Sequence, residues 1–238
     1  MTLDFTLVLL IVTVAAFVRA TVGFGDALLA MPTLALVTDL STATPLVGLI
    51  SVSTAALMLL LSWQALDLRS VLPLLAATVV GIPVGVVILR RLEGEGLIVI
   101  LGILLVGFGL YRLARPNLPG VRHPALTFTL GLLSGLFGGA YNISGPFVVL
   151  YGGLRGWSPE VFRASLQGYF IVSSLIIAAS HGVGGLWTGE VWRLYGFALP
   201  LTVAAILTGN ALANRVPKKG LERLITAAII VLGITLIF

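Results

Sequence analysis

Cysteine is absent from the 238 residues, histidine occurs twice, and charged side chains make up only 10%. Without thiols there can be no disulfide and no thiolate metal site. Two histidines, His123 and His181, and no carboxylates paired at a useful spacing leave little for acid and base chemistry, so an intramembrane enzyme is disfavoured. No Gly-Lys-Ser/Thr phosphate loop is present, which argues against ATP as the energy source. The start, Met1-Thr2-Leu3-Asp4, lacks the basic region of a cleavable signal, and the first apolar segment is expected to stay in the mature protein. No cofactor and no metal are called for.

What is abundant sets the solvent. Hydrophobic residues make up 58% of the chain and the mean hydropathy is +1.13, values that place it in a bilayer. An ionised group at bilayer depth costs at least about 2.5 to 3.5 kcal/mol, so each charge inside an apolar run needs a reason. The net charge of +5 and pI near 10.1 come mostly from Lys and Arg between apolar runs, where they report topology rather than nucleic-acid binding.

Apolar segments run near residues 5–37, 43–62, 68–89, 96–111, 124–152, 161–180, 192–213 and 221–238, two sets of four. Most match the ~20 residues that cross a hydrocarbon core. The first and fifth are too long, and each is broken: residues 18–34 contain Arg19, Gly23, Gly25 and Asp26, and residues 132–148 contain Gly138, Gly139, Asn142 and Ser144. The breaks align when Pro32 is set against Pro146. Each long segment therefore reads as two half-helices too short to cross alone.

Basic residues arbitrate between kinked spans and hairpins. With Arg19 set aside, crossing spans divide the remaining 13 Lys and Arg 8 against 5, and hairpins divide them 10 against 3. The positive-inside rule prefers the hairpins. The expected fold is an all-α integral membrane protein of two four-segment inverted repeats, 1–115 and 116–238, each opening with a broken or re-entrant helix pair. Both termini then lie outside. The repeat continues in Thr44-Pro45 against Ser158-Pro159, pairs suited to starting a helix, and in Leu72-Pro73-Leu74 against Leu199-Pro200-Leu201. The linker Arg112 to Pro124 is the natural boundary.

Interrupted helices at matching places in two halves point to a transporter binding site. They free backbone N–H groups and aim helix N-termini inward, which favours an anion. Gly131, Gly135, Gly139, Gly81 and Gly85 also have the spacing of close helix packing. Arg19 and Asp26 are either an internal ion pair, or an anion ligand and a proton- or cation-coupling group. Arg163 and Gln167 share one face a turn apart, and Arg163 is either a positive-inside anchor or an oxyanion ligand beside the second break. Asn142 and Ser144 either touch substrate or satisfy freed backbone groups. Asn210 is expected to bond between helices, and both histidines to be interfacial.

The paired Gly-rich segments ending in Pro resemble the TauE/SafE family, also called TSUP, of sulfite and organosulfonate exporters. The resemblance rests on Gly131 through Pro146, Trp157-Ser158-Pro159-Glu160 and Phe162-Arg163-Ala164; the first break departs from it, with Gly25-Asp26-Ala27 where three glycines are common and with an uncommon Arg19. It implies secondary-active export of a small sulfur-containing or carboxylate anion across the bacterial inner membrane. The substrate-binding set expected is Arg19, Gly23, Gly25, Gly138, Gly139, Asn142, Ser144, Arg163 and Gln167, with Asp26 for ion coupling. The partners expected are a small anion, the lipid bilayer and a coupling proton or cation, with a homodimer left open. An anion channel is the alternative.

Overall fold

The computed structural model describes residues 2–62, 71–91, 95–114, 123–213, 215 and 218–238. They form ten helices and no strand: α1 (Thr2–Val22), α2 (Asp26–Ala35), α3 (Leu40–Ser62), α4 (Leu72–Arg91), α5 (Glu95–Ala114), α6 (Pro124–Tyr141), α7 (Gly145–Arg155), α8 (Pro159–Val183), α9 (Gly189–Leu212) and α10 (Lys218–Ile237). Among the described residues, seven helices are long and apolar enough to cross a membrane: α1, α3, α4, α5, α8, α9 and α10. The 115/116 boundary, with Arg69, Arg115 and Arg122, falls outside the described residues.

Local chemistry starts several helices where the chain enters a span. Ser158 accepts from the Val161 N–H at 3.4 Å with Pro159 in the first turn of α8, and Thr188 accepts from Val191 at 3.3 Å to open α9. His123 Nδ1 accepts from Ala125 ahead of Pro124 in α6. Thr44 does not cap: α3 already begins at Leu40, and the Thr44 hydroxyl instead donates across to the Ala140 carbonyl at 3.1 Å.

The half-helices also differ from expectation. α1 is continuous for 21 residues, because nothing before Gly23 interrupts its hydrogen bonding. Arg19 thus sits in its last turn rather than in the break. Pro32 lies inside α2 and only Pro146 opens its helix. Both short helices turn back. The end of α2, Ala35 to Asp39, lines one crevice with Phe5, Thr6 and Val8 from the start of α1. Val148 and Tyr151 of α7 pack beside Leu126 and Leu130 near the start of α6.

Glycine decides the closest helix pair. A Cβ on Gly81 or Gly85 would overlap the α6 backbone at Leu132 and Leu136, and one on Gly135 or Gly139 would overlap α4 at Thr78 and Ile82. Small residues let two backbones touch where lipid supplies no hydrophobic drive between helices. α4 and α6 run parallel, Gly131 meeting Leu74 and Gly139 meeting Ile82 and Val86. α1 and α9 are also parallel, with Phe5 edge-on to Phe197 and Gly209 against Phe17 and Ala20. α5 and α10 are antiparallel, Gly102 meeting Gly233 and Arg112 lying 3.9 Å from Glu222.

Two outcomes are expected. Gly135→Leu forces α4 and α6 apart and costs at least the ~1–3 kcal/mol of ordinary overpacking, read as a lowered melting temperature in detergent. Because the chain has no cysteine, Thr6→Cys and Leu36→Cys can be labelled singly, and a membrane-impermeant maleimide should reach both from the same side. Labelling from opposite sides would contradict the fold-back of α2.

Candidate functional site

The two breaks meet inside the protein. A cavity of about 30 Å³ is lined by Arg19, Gly25, Asp26, Ala27 and Leu28 from the first break and by Asn142, Ile143, Ser144 and Gly145 from the second. Ser51 of α3 and Phe170, Ser173, Ser174 and Ile177 of α8 complete the wall. The N-terminal ends of α2 and α7 therefore border one space, and the positive ends of both helix dipoles bear on it.

Backbone conformation makes this turn tight. Gly23 and Gly25 have φ of 98° and 101°, a left-handed region that side chains other than Gly enter at a cost. Asn142 is the only described non-glycine residue with positive φ, at 55°, and it ends α6. Asn tolerates this conformation better than most residues.

Arg19 is 2% exposed. Its Nη1 donates to Asp26 Oδ2 at 2.8 Å, and its Cζ lies 5.2 Å from the centre of the Phe170 ring. Asp26 occupies the first turn of α2, where a carboxylate is stabilised by the helix N-terminus. The remaining nitrogens, Nε and Nη2, are buried and have no hydrogen-bond partner. These two form the side fork of the guanidinium, the edge that grips two oxygens of one carboxylate or sulfonate at once.

A polar chain extends from the pair. Ser51 Oγ is 3.5 Å from Asp26 Oδ2 and accepts from Asn142 Nδ2 at 2.9 Å, tying the first hairpin through α3 to the second. A second network holds Ser144. The Ser134 hydroxyl donates to the Ser144 carbonyl at 3.0 Å and lies 2.6 Å from the Tyr169 hydroxyl, which is 3.1 Å from Thr78.

Of the residues expected at the site, Arg19, Gly25, Asp26, Asn142 and Ser144 share the cavity. The others are placed differently. Gly139 packs on α4, Gly138 faces Ser144 and Ile177, and Gly23 shapes the turn. Gln167 donates to the Gly23 carbonyl at 3.4 Å, so it satisfies the first break rather than flanking the second. Arg163 lies on α8, with its side chain outside the described residues. Asn210 is exposed on α9 instead of buried between helices. His181 is not interfacial: it is fully buried, with Nε2 2.8 Å from the Gly139 carbonyl, because α8 runs past the second break. Ser51, Phe170, Ser173 and Ser174 were not anticipated. The available signal was hydroxyl residues inside otherwise apolar runs.

Removing one partner of a buried ion pair strands the other charge, at a cost of about 3–5 kcal/mol, whereas an apolar replacement of both is close to neutral. Asp26→Ala should therefore lower the melting temperature in detergent sharply, and the double variant Arg19→Met/Asp26→Leu should recover most of the loss. Equal losses in both would show that the pair is not what holds the break.

The sequence matches the family described as sulfite exporter TauE/SafE over residues 8–236. It is 25% identical over 182 residues to the probable inner membrane transporter protein TsaS of Comamonas testosteroni, covering 74% of each chain. No solved structure matches it.

Proposed function

The chain belongs to the sulfite exporter TauE/SafE family of membrane transporters, and from that premise we propose that it exports a small oxyanion, sulfite or an organosulfonate or carboxylate, through the cavity between its two hairpin tips. One observation carries this reading: the side fork of Arg19 is buried in that cavity with both nitrogens unsatisfied. A bound oxyanion supplies two acceptors to Nε and Nη2, and the N–H groups at the ends of α2 and α7 supply further donors. Asn142 and Ser144 line the opposite wall, and Arg163 is assigned to the same anion. Asp26, already holding Nη1, is the natural site for a coupling cation, since a cation there alters how much positive charge Arg19 offers.

Volume indicates the mechanism. About 30 Å³ is room for a water molecule or two, so an anion enters only when the tips part. Movement of one half against the other provides this. The helix pairs support an inverted repeat, because exchanging α1–α5 with α6–α10 turns the parallel pair α1 with α9 into the parallel pair α6 with α4, and pairs α5 with its own counterpart α10. Such repeats yield inward-open and outward-open forms by exchanging conformations. The distribution of Lys and Arg supports both termini outside, in a bacterial inner membrane.

Purified protein in liposomes tests the proposal. Sulfite or methanesulfonate flux should saturate and show counterflow, whereas a channel passes ions without saturation. Charge-assisted hydrogen bonds contribute about 1.5–3 kcal/mol each, so losing two of them in Arg19→Ala should weaken apparent affinity about a hundredfold or more. Flux that survives both Arg19→Ala and Arg163→Ala unchanged would refute the assigned site.

A further inference from the structure

We propose that His181 is a proton-binding residue of this transporter, linked to the anion cavity through Asn142 and Ser51; this rests on the anion-carrier reading above. His181 lies in the last turn of α8 and is 0% exposed. A carbonyl oxygen only accepts, so the bond to Gly139 requires the ring proton to be on Nε2, and Nδ1 carries a bare lone pair. That Nδ1 is buried without a partner.

Its surroundings connect it to the site. Gly48 of α3 leaves a small gap: a Cβ there would lie 3.1 Å from His181 Nδ1 and 3.9 Å from Asn142 Oδ1, so the nitrogen and the amide oxygen border the same space. The other end of Asn142 donates to Ser51, which faces Asp26. Polar groups thus lead from the cavity to Asn142, and only the space beside Gly48 separates Asn142 from His181.

A purely structural histidine would need one N–H for Gly139. The second nitrogen, buried and unsatisfied, is a standing cost that this role does not require. A proton taken from water by the Nδ1 lone pair, when that end of the protein opens, converts the nitrogen to a donor facing Asn142 Oδ1. The same proton returns to water on the other side. Few charges oppose it. α3 has no titratable side chain, α6 has only Tyr141, whose hydroxyl donates to the Leu97 carbonyl, and α4 has Arg90 and Arg91 in its last turn. Across the gap Asp26 is offset by Arg19, so the net negative charge facing His181 is that of the bound anion. Proton and anion therefore favour one another's binding, and by linkage each raises the affinity for the other.

Methanesulfonate is a suitable probe, because its own charge is constant near neutral pH. In liposomes containing a pH-sensitive dye, the wild type should move protons together with methanesulfonate, and His181→Gln, which keeps a donor for Gly139 but cannot titrate, should lower the proton-to-anion ratio at least tenfold. An unchanged ratio overturns the proposal. So does net wild-type methanesulfonate flux without proton movement, which leaves the carrier reading intact; no saturable flux at all removes both. If His181→Gln fails to fold, 15N-histidine NMR of the wild type decides, since only two imidazoles contribute. Nδ1 of the buried ring should become protonated when methanesulfonate is added at constant pH, and a Nδ1 signal indifferent to methanesulfonate refutes the inference.

Discussion

A guanidinium enclosed by protein at membrane depth demands negative charge, and in this fold Asp26 answers only one nitrogen of Arg19. The pair spans the first break, from the last turn of α1 to the first turn of α2, so the same contact that neutralises the cation also sets the bend. Had both oxygens of Asp26 engaged the side fork, the guanidinium would be self-satisfied there. The single-point contact at Nη1 leaves the fork unpaired.

The rest of the molecule can be understood as holding two hairpin tips against each other. Backbone contact between α4 and α6 makes the second hairpin's long arm part of a close-packed pair, while Tyr169 and Ser134 secure the Ser144 carbonyl from α8 and α6. The first hairpin is held differently. Gln167 reaches across from α8 to the Gly23 carbonyl, and Ser51 on α3 stands between Asp26 and Asn142. α3 and α8 are thus the two walls that touch both tips.

Buried polar groups outside the ion pair follow a consistent rule. Hydroxyls in the helices mostly bond back to a carbonyl one turn earlier, as Thr54 does to Ile50 and Thr33 to Leu29. Arg19, Asn142 and His181, at or beside the breaks, instead depend on, or lack, partners from distant parts of the chain, while away from the breaks Ser53 meets Tyr195 and the Thr202 hydroxyl has no partner.

Much of this was legible from one dimension. Hydropathy marked the spans, because bilayer thickness imposes their length, and the Gly-rich interruptions marked two places where a helix must stop. That Arg19, Gly25, Asp26, Asn142 and Ser144 come together was expected from the same breaks, and they line one cavity. What the chain could not disclose by itself was which helix faces which. The sequence placed Gln167 near the second break and His181 at an interface, and the tertiary structure put one against Gly23 and the other against Gly139. Phe170 carries no local mark, and the hydroxyl of Ser51 sets it apart from apolar neighbours but not from the other Ser and Thr of the spans. Periodicity and composition report on the solvent around a segment; the partners of a side chain are decided by helix crossings, and those depend on close approaches such as Gly81 to Gly135 that emerge only when the whole bundle packs.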